Sequence, residues 1–320
     1  AVLLVLFGHA ANQGLAPWIA GGFLTRGKLG VYLFFLISAY LLDKQIISVW
    51  MQGRSNLGYW RYYLLRRVLR IFPPFIAALF VFRFANEIGL KVVIQDLNEI
   101  WEHVTLRRGD HIFWSIPTEF KYYLFSPVLI FVFARFFKWN KTAVYTTLIS
   151  GILATVICNI QFDLPRFSTL RYLSVFLIGT GLAFLETQSP KGFKQILSHS
   201  MSKFIAPVTL AILVFWGQLS TNFTHPLVYL PAAILWGLLL LASKKEGWWS
   251  AFLSWTPFRF IGTISYSLYL LHIPVLMWVK TLDIQPLAQF ICFIVLSVVV
   301  AVLSHLCIER PALKLVTKNL

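Results

Sequence analysis

Charge is what this sequence has little of. Only 12% of its 320 residues are Asp, Glu, Lys or Arg, where soluble domains carry roughly 25%. That shortage excludes a solvated globule, and the mean hydropathy of +0.73 agrees. The apolar residues come in long continuous runs rather than in strand-like alternation. The class is therefore an integral membrane protein of helices, all-α, and not a barrel of strands.

Other absences narrow the reading further. Acidic residues are the scarcer sign, 12 against 28 Lys and Arg, which leaves a formal net charge of +16. The basic residues stand mainly between apolar runs, so they set topology and meet anionic lipid headgroups; no nucleic-acid partner is expected. Cysteine is nearly missing. Cys158, Cys292 and Cys307 stand singly inside apolar runs, which excludes a disulfide framework and a metal knuckle. No HExxH spacing occurs, and the polar stretch with Glu99, Glu102, His103, Asp110 and His111 reads as a solvated outer loop, so no metal is expected. No His-x4-Asp follows His9, which excludes the soluble-facing glycerolipid acyltransferase motif. No repeat, linker or low-complexity segment divides the chain, and residues 1–320 read as one domain.

What is there is a series of apolar segments at roughly 1–16, 29–50, 68–86, 113–134, 142–160, 168–187, 204–218, 226–242, 258–279 and 287–308. They predict a polytopic bundle of about ten transmembrane helices, with an interfacial helix or loop over 87–112. A span takes about 20 residues. Only eight residues precede His9, so the first helix is expected to be truncated at its N-terminus. Alternate connections carry the basic residues: Arg61, Arg66, Arg67 and Arg70, then Arg135 and Lys138, then Lys191, Lys194 and Lys203, then Lys244 and Lys245. The opposite set holds Glu87, Asp96 and Glu99. The positive-inside rule then puts both termini in the cytoplasm. Asn222-Phe-Thr is a glycosylation sequon on the outer side, of consequence only in a secretory pathway.

Polar side chains inside such runs are functional candidates. His9 ends the first run; an imidazole there is either hydrogen-bonded between helices or a general base. Arg67 and Arg70 share a helix face at i, i+3, next to Arg66 and ahead of Pro73 and Pro74. They are either a topology anchor or a phosphate clamp, with Arg66 and Arg67 anchoring and Arg70 pointing inward. Glu119 and Lys121 sit within an apolar run; Glu119 is either paired for assembly or an acid/base or orienting group. Ser265, Tyr269 and His272 fall on one face of the ninth segment, where Tyr266 and Ser267 add hydroxyls. Glu309-Arg310 reads as a structural ion pair at the last helix end.

In order, VLLVLFGH (2–9), GVYLFFLISAYLL (30–42), RRVLRIFPP (66–74), WSIPTEFKYYLFSP (114–127), ISYSLYLLHIPV (264–275) and ERP (309–311) resemble the blocks of acyltransferase family 3 over essentially the whole chain. The resemblance implies transfer of an acyl group, commonly acetyl, from acyl-CoA to a sugar hydroxyl on a cell-envelope polysaccharide or related glycan, in a bacterial inner membrane. It implies His9 as the catalytic histidine, acting as base or as transient acyl carrier, and Glu119 as the acidic position. It implies Arg67 and Arg70, with Arg66, at the donor, and Ser38, Trp114, Ser115, Tyr266, Tyr269 and His272 as substrate contacts. No bound cofactor is expected; acyl-CoA is a co-substrate, and the bilayer and a glycan acceptor are the partners. Two positions depart from the family: Tyr32 stands where its block commonly has Asp, and Ala39 where it has Gly. The family's arginine eleven residues before the histidine would precede Ala1. The competing class is a transporter or flippase of a glycan-like substrate, which would show inverted repeats.

Overall fold

The computed structural model describes residues 1–19, 26–191, 204–219, 225–244 and 246–318. Asn222, Lys194, Lys203 and Lys245 therefore lie outside the described residues. Among those described, the secondary structure is helical throughout: α1 (Val2–Asn12), α2 (Gly27–Met51), α3 (Leu57–Glu87), α4 (Leu97–Val104), α5 (Ser115–Arg135), α6 (Lys141–Gln161) and α7 (Thr169–Gln188). There follow α8 (Ile205–Leu219), α9 (Pro226–Ala242), α10 (Trp248–Leu253), α11 (Thr256–Thr263), α12 (Ser265–Val279), α13 (Pro286–Ser304) and α14 (Arg310–Lys318). A π-helical turn, His305–Glu309, joins the last two.

Side-chain caps mark several helix starts. Asn56, Asp96 and Asn140 each accept the backbone N–H three residues on, from Tyr59, Glu99 and Ala143. Pro226 and Pro286 open α9 and α13, where a missing N–H costs nothing.

Five described helical runs are long and apolar enough to cross a bilayer: α2, α3, α6, α7 and the run Pro286–Leu315. The pair α11–α12 would make a sixth, but it is bent by 76°, so the straight ninth span expected over 258–279 is corrected to a broken one. The apolar helices α1 and α9 are shorter. The interval 87–112 contains α4, with its Asp96 cap.

The outward faces are what lipid requires. Ile149, Leu153, Ile157 and Ile160 of α6 are each more than half exposed. Leu287, Ile291, Val295, Val299 and Leu303, spaced four apart, form an exposed stripe on α13. Such continuous apolar stripes are stable against hydrocarbon, not water.

The chain divides into two compact units. The first comprises residues 28–55 and 118–258. Here α7 meets α2 at Gly179, where an added Cβ would lie 2.5 Å from the Leu36 carbonyl oxygen and 2.9 Å from the Ala39 Cβ. This is the small-residue approach by which membrane helices touch. A fully buried Asp43 on α2 accepts hydrogen bonds from Tyr122 (2.6 Å), Thr180 (2.6 Å) and Ser126, so one carboxylate ties together α2, α5 and α7. The second unit comprises residues 2–27, 56–117 and 259–320. In it α12 packs on α1, α3 and α13, while α4 and α14 pack on α3.

Gly179→Ala is expected to destabilise the first unit by about 2 kcal/mol through overpacking. A thermal midpoint in lipid nanodiscs equal to that of the parent chain would show that α2 and α7 are not held at backbone distance.

Candidate active site

The second unit gathers three histidines from three parts of the chain. His9 lies near the C-terminal end of α1. His272 is on α12 and fully buried. His111 opens a 3-10 turn, His111–Trp114, ahead of α5. The His9 ring centroid is 5.2 Å from that of His272 and 5.5 Å from that of His111. Sequence reasoning placed His111 in a solvated loop. The structure keeps His111 exposed, as that reading has it, but sets its ring against that of His9.

The polar block of α12 holds this arrangement in place. Tyr269 donates to the Ile112 carbonyl (2.6 Å), and Ser115 donates to the Tyr269 hydroxyl (3.0 Å). The 3-10 turn carrying His111 and Trp114 is thereby fastened to α12. Tyr266 donates to the Ile71 carbonyl of α3 (3.0 Å). His272 Nδ1 faces the Tyr269 carbonyl at 2.8 Å. An imidazole nitrogen facing a carbonyl must carry the proton, so Nε2 of His272 is the lone-pair nitrogen. That Nε2 is buried and makes no hydrogen bond among the described residues.

His9 and His111 line a cavity of about 550 Å³, within the usual range for a small-molecule site. Its remaining wall is mostly polar, with Gln13, Asn86, Lys91, Gln95, Glu99, Arg108 and Asp110. Arg108 is the centre of that wall. It pairs with Glu99 (3.1 Å), Glu102 (3.1 Å) and Asp110. The same segment holds two residues in the left-handed backbone region, Leu106 (φ 60°) and His111 (φ 48°), a conformation that costs non-glycine residues about 1–3 kcal/mol each. Burial lowers the pKa of the His111 imidazole from its ordinary 6.5. The ring is therefore neutral at physiological pH and able to accept a proton.

The arginine block is placed differently from expectation. Arg70 is exposed, not turned inward; Arg67 is the half-buried member, with its guanidinium over the Tyr63 ring at 5.6 Å. Arg66 is exposed and lies 5.7 Å over the Tyr62 ring, donating to the Tyr62 hydroxyl. Pro73 and Pro74 lie inside α3 and bring no N–H to the carbonyls of Leu69 and Arg70, which leaves acceptors beside the arginines.

One further correction concerns a helix end. Ser265, half-buried at the start of α12, donates to the Gly262 carbonyl. Glu309 is buried and takes hydrogen bonds from Ser267 (3.0 Å) and His305 (3.1 Å), rather than pairing with exposed Arg310.

Glu119 and Ser38 belong to the first unit. Buried Glu119 accepts from Ser38 (2.6 Å) and from Tyr123, and the Ser38 and Tyr123 hydroxyls are 2.8 Å apart. Sequence reasoning named Glu119 and Ser38 but not Tyr123. The four-residue step from Glu119 to Tyr123 on one helix was the signal available. Asp43 was missed as well, because a lone carboxylate beside Lys44 in the sequence looks like the end of a span.

A family model described as an acyltransferase domain matches residues 1–306. O-acetyltransferase OatA of Staphylococcus aureus (strain NCTC 8325 / PS 47) is 28% identical over 338 residues, spanning 93% of this chain and 54% of that protein. The protein of the same name from strain COL gives the same values. The chain thus spans about half the length of the curated relatives it matches. No solved structure matches it.

Because the His111 ring is neutral in the folded chain and its pKa lies below 6.5, the unfolded chain binds the extra proton more readily. Stability conferred here is complete above pH 6.5 and is lost as pH falls below it. The thermal midpoint in nanodiscs should therefore drop on acidification through this window. His111→Asn, which tolerates positive φ, should flatten the drop; an unchanged slope would remove His111 as its source.

Proposed function

This chain belongs to the integral-membrane acyltransferase family whose model covers residues 1–306, and on that premise we propose that it moves an acetyl group from acyl-CoA to a hydroxyl of a sugar in a cell-envelope polysaccharide. The observation that carries the reading is His9, an imidazole at the wall of a polar cavity with two further histidine rings against it.

In this reading His9 takes the proton of the acceptor hydroxyl as its oxygen attacks the thioester carbonyl. The C–O bond forms, the C–S bond breaks, and the imidazolium returns its proton to the departing thiolate. The ring beside His9 is the neutral His272, its centroid 5.2 Å away. The wall of Gln13, Asn86 and Gln95 suits a polyol. Arg67, with Arg70 and Arg66, takes the phosphates of the donor as guanidinium forks. Within the second unit, Trp114, Ser115, Tyr266 and Tyr269 shape the acceptor side; Glu119, Ser38 and Tyr123 are a separate polar cluster of the first unit, with Glu119 its acidic candidate. We place the chain in a bacterial inner membrane with about ten spans, the arginine block and both termini at the cytoplasmic face, so that His9 and the 88–111 segment meet the acceptor from outside.

A carrier for a glycan-like substrate is the second reading, favoured by the broken pair α11–α12, since interrupted helices build transport sites. Acceptor-dependent release of CoA separates the two.

Purified protein in nanodiscs with acetyl-CoA and an envelope-glycan fraction should release free thiol. His9→Ala should cut turnover at least about 100-fold with donor binding kept. Arg67→Ala should raise the donor KM about tenfold, the loss of one charge-assisted contact, and more than Arg70→Ala does. Turnover unchanged in His9→Ala would sink the mechanism.

A further inference from the structure

The polar segment beside the cavity has its own centre, His103, which the proposed reaction does not use. His103 is fully buried in the last turn of α4. Its Nδ1 lies 2.7 Å from the Glu99 carbonyl oxygen, and its Nε2 accepts the backbone N–H of Asp110 at 3.2 Å. These two contacts settle the chemistry of the ring. A carbonyl requires a proton on Nδ1, and an N–H requires a lone pair on Nε2. Only the neutral Nδ1–H form satisfies both. The Phe113 ring closes the remaining side, edge-on at 5.6 Å between centroids.

The charged groups around it are accounted for. Glu99 is on the same helix, and Arg108 and Asp110 come from the segment after it; Arg108 pairs with both, and also with Glu102. From α3, Arg83 pairs with Glu87 at 2.9 Å and donates to the Gln95 carbonyl. Burial is the main influence on the imidazole and favours its neutral form.

The residue that follows the clasped amide is His111, in the left-handed conformation that turns its ring toward His9. We infer that His103 is a positioning residue: as a neutral imidazole it clasps the Asp110 amide and so fixes His111 and the cavity wall against His9. This rests on the acyl-transfer reading for its consequence, but not for its geometry. Protonation at Nε2 would set an N–H against the Asp110 N–H and open the clasp. Transfer should then fail on acidification through a residue that never touches the acceptor.

The test compares His103→Gln, whose amide oxygen replaces the Nε2 acceptor without titrating, with His103→Phe, which keeps the bulk and loses the acceptor. Amide hydrogen exchange in nanodiscs reads the clasp directly. Exchange at 105–111, corrected for the intrinsic pH effect, should rise at least tenfold in His103→Phe and stay near the parent value in His103→Gln. Below pH 6.5, the ordinary histidine value, it should rise in the parent chain but not in His103→Gln. CoA release should fall about tenfold in kcat in His103→Phe with donor KM unchanged. In His103→Gln it should recover, with its acid limb moved to lower pH. Equal exchange in all three chains would overturn the clasp. Faster exchange in His103→Phe with unaltered kcat would overturn the positioning role. A parent chain that keeps the clasp and releases no CoA would overturn the acyl-transfer reading, leaving His103 a brace of its loop alone.

Discussion

A carboxylate or imidazole inside a helix bundle has no water to satisfy it, so each must find donors or acceptors on a neighbouring element or remain costly. The described interior follows this constraint closely. Asp43 takes three hydroxyl donors from two other helices. Glu119 takes Ser38 and Tyr123, and Glu309 takes Ser267 and His305. In each case the acid is matched by neutral hydroxyls or an imidazole rather than by Lys or Arg. Apart from Arg66, Arg67 and Arg70 in the first half of α3, the described arginines stay near helix ends and in loops, where headgroups and water share the cost of their charge. Polar contacts therefore decide which helices assemble, and the apolar surface is left for lipid.

A few buried polar atoms depart from that pattern among the described residues, Trp50 Nε1, Ser297 Oγ and His272 Nε2 among them. His272 leaves its Nε2 without a hydrogen bond among the described residues, and it does so beside His9, at a polar cavity. A buried donor or acceptor left unmatched costs about 1–3 kcal/mol. The left-handed backbone at His111 adds a second cost at the same place. The same two kinds of cost occur elsewhere, in the left-handed backbone of Lys138 and Trp139 and at Ser297 Oγ, so they mark strained positions of the fold rather than chemistry by themselves.

Much of this was legible in the sequence, and the limits have physical causes. Apolar runs of about 20 residues predict helices because the bilayer fixes their length, and helices were found at the expected segments. His9, Glu119, Tyr269 and His272 stood out because a polar residue in an apolar run is conspicuous. His111 and His103 did not, because they sit among Glu99, Glu102, Arg108 and Asp110, where polarity is ordinary. His103 is buried beside an Arg108 that pairs with three carboxylates, and the exposed His111 meets His9 across the fold; both are tertiary effects with no local period. The inward member of the arginine block was misjudged for a related reason. Helical spacing gives the shared face of Arg67 and Arg70, but only the position of Tyr63 one turn earlier shows which guanidinium is sheltered.

The break at Ile264 connects these observations. A straight helix over 258–279 would satisfy every interior N–H within itself. Breaking it exposes the first N–H groups of α12 and the last carbonyls of α11, a loss lipid does not repair. The structure compensates locally. Ser265 caps back onto the Gly262 carbonyl, and the Leu268 N–H reaches the Ile264 carbonyl at 2.9 Å. The side chains just beyond then bind other elements: Tyr266 to α3, Ser267 to Glu309, Tyr269 to the 3-10 turn. With α12 anchored at three points over its first five residues, His272 has little freedom left, and its ring is set against His9 by the backbone rather than by a contact between the rings. The polar cluster of the ninth segment is thus chiefly a mount. Its hydroxyls are consumed in fixing the helix, and His272, one turn beyond the last of them, is buried behind His9, which itself lines the cavity.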